Sequence, residues 1–153
     1  MRIAPAAALL LMLPVPAAAE LPMTRQLDAR TSAGIERLLR QSGYPEVSWN
    51  SIRIALIGAL AAFPEKRRVA YRMRHAHLPQ AEVRSSRSGR CQAIVLTAWF
   101  ANRSHPPLRL RGRYCERANW VWTAMSQQLS LLPGNGPLPT LPAPGPGVAE
   151  MGD

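Results

Sequence analysis

The sequence predicts an α+β domain: two N-terminal helices followed by a small antiparallel sheet with one disulfide-closed hairpin. Three observations carry this. Ile35, Leu38 and Leu39 repeat at helical spacing, and an alanine-rich apolar run follows from Ile52. From Val69 onward the apolar period shortens to two. Two cysteines, Cys91 and Cys115, then bracket a pair of alternating runs.

The chain of 153 residues opens on a leader. Met1-Arg2 supplies a positive start, Ala6 to Leu13 an apolar stretch, Pro14 and Pro16 a break, and Ala17-Ala18-Ala19 the small residues of a cleavage site. The apolar stretch falls short of the roughly 18–20 residues that cross a bilayer. Residues 1–19 are therefore expected to be a cleaved signal peptide, with no transmembrane segment in the mature chain. Residues 20–131 form one small basic domain on this reading. Residues 132–153, with six prolines and five glycines, are expected to be a disordered tail.

Thr31-Ser32 has the chemistry of an N-cap, and Gly43 that of a helix stop, which predicts a helix over Ala33–Ser42. Glu36 and Arg40 stand at i,i+4 in the favourable order. Asn50 or Ser51 begins the second helix, which carries Ile52, Ile54, Leu56, Ile57, Leu60 and Phe63 and ends at Pro64. Its alanines favour helix over strand, and its apolar residues mark it as a core element.

Val69, Tyr71 and Met73 alternate with arginines in the manner of a half-buried strand. A polar stretch from Arg84 to Gly89 separates it from the apolar run Cys91–Phe100. A turn over Asn102–Pro107, the alternating run Leu108–Cys115 and a short run Trp120–Met125 complete the sheet. An even cysteine count in an exported chain reads as one disulfide, Cys91–Cys115. If these cysteines face each other across a hairpin, Leu96 faces Leu110 and Ala98 faces Leu108. Ile94, Leu96, Ala98, Leu108, Leu110 and Tyr114 then share one apolar face. Arg109, Arg111 and Arg113 fall on the other, opposite Thr97, Val95 and Ala93. A slip of one residue would drive the arginines into the core, so the disulfide and the alternation specify one register. The bond closes a loop of about 25 residues, for roughly 3–3.5 kcal/mol on the chain-entropy account.

Charge is concentrated in the same region. Lys66 to Arg117 holds 13 basic residues against Glu82 and Glu116. The arginine ladder, about 7 Å per two-residue step, with Arg103 and Arg117 at its edges, is the candidate anion-binding strip. Its plainer role is to keep an outer sheet face wet and to discourage edge-to-edge pairing. Trp99, Trp120 and Trp122 are candidates for stacking on a ligand, although core packing is the commoner use of tryptophan.

Gly89-Arg90-Cys91-Gln92, an apolar strand, a turn, Gly112-Arg113-Tyr114-Cys115 and Trp120 together resemble the C-terminal module of the rickettsial-type outer-membrane surface antigens. The likeness covers about Gly89 to Trp122. Gln92 and Glu116 stand where the family carries arginines, and Ala118-Asn119 replaces its Asp-Gly. The family's lipid-anchor cysteine and glycine-zipper segment have no counterpart here. The resemblance implies an envelope location and a disulfide hairpin, without the family's membrane anchoring.

Catalytic chemistry has little to stand on. The mature chain has two aspartates, Asp28 and Asp153, neither beside a histidine and serine. His75-x-His77 offers two imidazoles without a third ligand, so no metal is expected, and no phosphate loop or cofactor motif is present. Basic charge without a recognisable binding fold, behind an export signal, does not point to nucleic acid. The sequence therefore predicts a non-enzymatic exported protein of the periplasm or cell envelope. Its partner is expected to be an anionic envelope lipid, lipopolysaccharide or an acidic protein, met through a basic sheet face. The alternative is a secreted hydrolase or hydrolase inhibitor on an unfamiliar scaffold.

Overall fold

Asp28 starts the first helix, α1 (Ala29–Gln41), by accepting the Thr31 N–H on its carboxylate at 2.6 Å. In the computed structural model, residues 26–61, 68–73, 75, 77–140 and 148–151 are described. The expected leader, residues 1–19, and the basic pair Lys66-Arg67 lie outside them. The cap expected at Thr31-Ser32 is thus corrected by one turn. Thr31 is buried, and its hydroxyl accepts the Ala124 N–H at 2.8 Å, so it ties the helix to the sheet. At the other end Gly43 takes φ of 71°, and the Tyr44 N–H returns to the Leu39 carbonyl at 3.1 Å. Glu36 reaches Arg53 of the second helix at 3.6 Å, and Arg40 lies over the Trp49 ring.

That second helix, α2 (Trp49–Ala61), buries Ile52, Ala55, Leu56, Ala59 and Leu60. Gly58 brings it close to the sheet. A Cβ there would lie 2.5 Å from the Tyr71 hydroxyl, so only glycine admits this ring. Burial raises the Tyr71 hydroxyl to a pKa of about 12.

Among the described residues, seven strands make one sheet: β1 (Gln26–Leu27), β2 (Arg68–Met73), β3 (Gln80–Ser88), β4 (Cys91–Trp99), β5 (Leu108–Glu116), β6 (Val121–Leu131) and β7 (Val148–Met151). The order across the sheet is β1-β6-β5-β4-β3-β2-β7. Strands β2 to β6 form an antiparallel meander, and β1 and β7 add in parallel at its two edges. Both helices pack on one face, which makes two layers around one core.

The hairpin register is the one its chemistry requires: Cys91 pairs with Cys115, Leu96 with Leu110 and Ala98 with Leu108. A disulfide joins the two cysteines. Ile94, Leu96, Ala98, Leu108, Leu110 and Tyr114 are all buried. Gly112 belongs to the same face because the Tyr114 ring lies across it. A Cβ at Gly112 would meet Tyr114 Cε2 at 2.7 Å and the Ser126 carbonyl at 2.9 Å.

Three parts of the sheet depart from expectation. Strand β3 occupies most of the stretch read as a polar separator. Only Ala81, Glu82 and Val83 within it are buried; the outer half is held by its ladder to β4, which leaves no apolar signature. Strand β6 continues to Leu131 instead of ending at Met125, because Gln127 and Leu129 carry the core-facing positions beyond a bulge. The segment expected to be a disordered tail is structured where it is described. The Leu132 N–H bonds the Pro107 carbonyl at 2.7 Å, and Val148–Met151, free of proline and glycine, pair in parallel with β2.

Candidate anion-binding groove

Alternation along β2 to β5 decides which side chains reach the face away from the helices. Arg68 stands beside Arg84, Glu82 pairs with Thr97, Arg84 with Val95, and these rows continue to Arg109 and Arg111. The proline-rich segment 132–140 lies against this face. Pro133, Pro137, Leu138 and Pro139 form one wall of a groove of about 940 Å³, and the arginines, Glu82, Val95 and Thr97 form its floor. Segment 132–140 is held by Arg103, whose Nη1 donates to the carbonyls of Gly134 and Gly136, both at 3.1 Å. Arg103 adopts φ of 54°, a left-handed conformation that favours glycine. The guanidinium contacts give a reason for arginine at this strained position.

Four arginines and one glutamate line the groove, a local net of 4 − 1 = +3. They fall into two groups. Glu82 is buried, and both of its oxygens are engaged, by Arg68 Nε at 3.0 Å and Arg84 Nε at 2.8 Å. Burial pulls the Glu82 carboxyl up, but the hydrogen bonds from Arg68 and Arg84 outweigh this and hold it below the usual range. Arg109 and Arg111 have no acidic partner among the described residues, and Arg109 Nε is shut off from solvent without an acceptor. Two such charges about 7 Å apart repel by about 0.6 kcal/mol in water, and by about 2 kcal/mol at an effective dielectric near 20. A bound anion would relieve that repulsion and supply the missing acceptors.

The five arginines singled out in the sequence therefore separate. Arg109 and Arg111 share the groove, and Arg103 clamps its wall. Arg113 is exposed at the other end of β5, next to the disulfide and outside the groove. Arg117 lines a different hollow, between α1 and β6. Of the tryptophans, Trp122 belongs to the core cluster and Trp99 is buried, whereas Trp120 is exposed at φ of 61°. Sequence reasoning did not single out Arg68, Glu82 or Arg84 as a group. The available signal is Glu82, one of only two glutamates in a long basic run. His75 and His77 bring their rings to 5.3 Å, and no cluster of three metal-ligating side chains exists among the described residues. Among the described residues no helix is long and apolar enough to cross a membrane. No protein-family model, no curated protein and no solved structure matches the chain.

Proposed function

We propose that this chain is an exported, non-enzymatic protein of the cell envelope that binds an anionic envelope component in the groove on its outer sheet face. The observation that carries the reading is the pair Arg109 and Arg111, two cations on the groove floor with no acidic partner among the described residues. The neighbouring Arg68–Glu82–Arg84 group supports it, because a saturated carboxylate does not compete for the ligand. The groove is in the size range of small-ligand sites, and its proline and leucine wall suits the apolar flank of a lipid phosphate group. The leader-like N-terminus, the disulfide hairpin and the likeness to surface antigens favour an envelope setting. Sedimentation with vesicles tests this. Binding to cardiolipin or lipopolysaccharide should exceed binding to neutral lipid and weaken as salt rises through the physiological range. Equal partitioning to neutral and anionic vesicles would remove the reading.

A further inference from the structure

The two edges of the sheet are finished differently. On one side β7 lies along four residues of β2. On the other, β1 meets β6 only at Val121 and Trp122. Asp28 N–H then takes the Trp122 carbonyl and Thr31 Oγ1 takes the Ala124 N–H. Met125 is left unpaired by the bulge. Beyond it, Ser126–Leu131 has β5 on one side and no strand on the other among the described residues.

That open stretch reads Ser-Gln-Gln-Leu-Ser-Leu, without a charge or a proline, in a chain of net charge +10. Natural edge strands are usually blunted by just those residues, so this one is free to pair. Helix α1 roofs the space beside the start of this stretch, at Ser126 and Gln127. Arg30, Gly34 and Arg37 are spaced i, i+4, i+7 on one face of α1. Together with Arg117 and residues Thr123 to Gln127 they line a hollow of about 540 Å³. Arg30, Arg37 and Arg117 are exposed, and among the described residues no acidic side chain lines the hollow. Asp28, which feels the charge of Arg117, is already engaged by Thr31 N–H and by the Thr123 hydroxyl at 2.6 Å.

We propose that the open edge of β6 receives an extended acidic segment of a partner protein as an added strand, with its carboxylates under Arg30, Arg37 and Arg117. Backbone hydrogen bonds to Ser126–Leu131 would supply affinity, and the arginines would select acidic side chains at alternate positions. A second copy of the chain fits poorly, since symmetric pairing would bring two such arginine sets together. β1 runs parallel to β6, and its described residues pair only with Val121 and Trp122, short of Ser126–Leu131.

A library of random peptides of about ten residues, displayed on a carrier and selected on the full chain, tests the proposal. Selected peptides should be enriched in Asp and Glu at alternate positions, and should slow amide exchange over Ser126–Leu131. The double variant Arg30→Glu/Arg37→Glu alters two exposed helix residues and should weaken these peptides by about tenfold or more. Gln128→Pro should abolish binding by blocking the ladder. Should it unfold the protein, the charge-reversal variant still decides. Selection without charge preference, protection elsewhere on the sheet, or a dimer joined through β6 in the absence of peptide would each overturn the proposal. The test is independent of the groove, since Arg109 and Arg111 lie on the other side of the sheet.

Discussion

The β4–β5 hairpin presents two faces built from the same two strands. The inner face is a row of buried aliphatic and aromatic side chains around Tyr114, interrupted by Gln92. The outer face carries arginines at every second position of β5, with partners that differ from one to the next. Inner residues are fixed by one another, so a change at one is felt by all. Outer residues share their surroundings with groups far away in sequence: Arg109 lines the groove with segment 132–140, and the neighbouring Glu82 is held by Arg68. The fold should therefore be sensitive to the inner face and to Glu82's partners, and insensitive to the free arginines.

The largest effect is expected where a charge is buried. Replacing both Arg68 and Arg84 by glutamine leaves Glu82 buried without a counter-charge and should cost about 3–5 kcal/mol. Glu82→Gln should cost less, because Arg68 and Arg84 are more than half exposed and stay hydrated without it. The Glu82 pKa is lowered in the folded state, so its stabilisation is present above the unfolded value of about 4.3 and is lost as pH falls below it. Asp28 acts in the same sense. The Thr123 hydroxyl, opposed by burial and aided by Thr31, holds its carboxyl low. In thermal melts the gap between wild type and Glu82→Gln should close on acidification; a gap that widens would contradict this assignment.

Next in size is the disulfide. Replacing Cys91 and Cys115 by alanine should destabilise the domain by about 2–4 kcal/mol in urea titrations, because the loop they close is then unconstrained in the unfolded chain. A loss below about 0.5 kcal/mol would show that the bond contributes little beyond what the ladder already holds.

A smaller effect, of opposite sign, is expected at Gln92. It sits on the inner face opposite Tyr114, only 1% exposed, with neither amide atom paired to another protein group. Gln92→Leu should stabilise by about 1 kcal/mol, since an unsatisfied buried amide costs about 1–3 kcal/mol. A drop in the thermal midpoint would mean that ordered water satisfies the amide and that the inner face is not uniformly apolar in its demands.

How much of this was legible from the sequence follows the same division. The hairpin register was legible because two independent constraints, a disulfide and an alternation, agree on it. Both helices were legible, the first from periodicity and the second from its alanines, apart from the first cap, where Asp28 won because Thr31 is engaged by β6, 93 residues away. Strand β3 was hidden because backbone pairing holds its outer half without apolar side chains. The groove was only half legible. Arg109 and Arg111 could be placed on a face by counting, but the proline-rich wall and the Arg103 clamp depend on contacts across more than 30 residues. Composition alone marked segment 132–153 as unable to pack, and it missed that prolines can line a groove without forming a core.

On the proposed function, Arg109 and Arg111 serve an anion and not the fold. Vesicle binding by Arg109→Gln/Arg111→Gln, read beside its thermal midpoint, separates the two roles. Stability should change by about 0.5 kcal/mol or less per site, while binding to cardiolipin vesicles is lost. A folded variant that binds those vesicles as tightly as the wild type would contradict it.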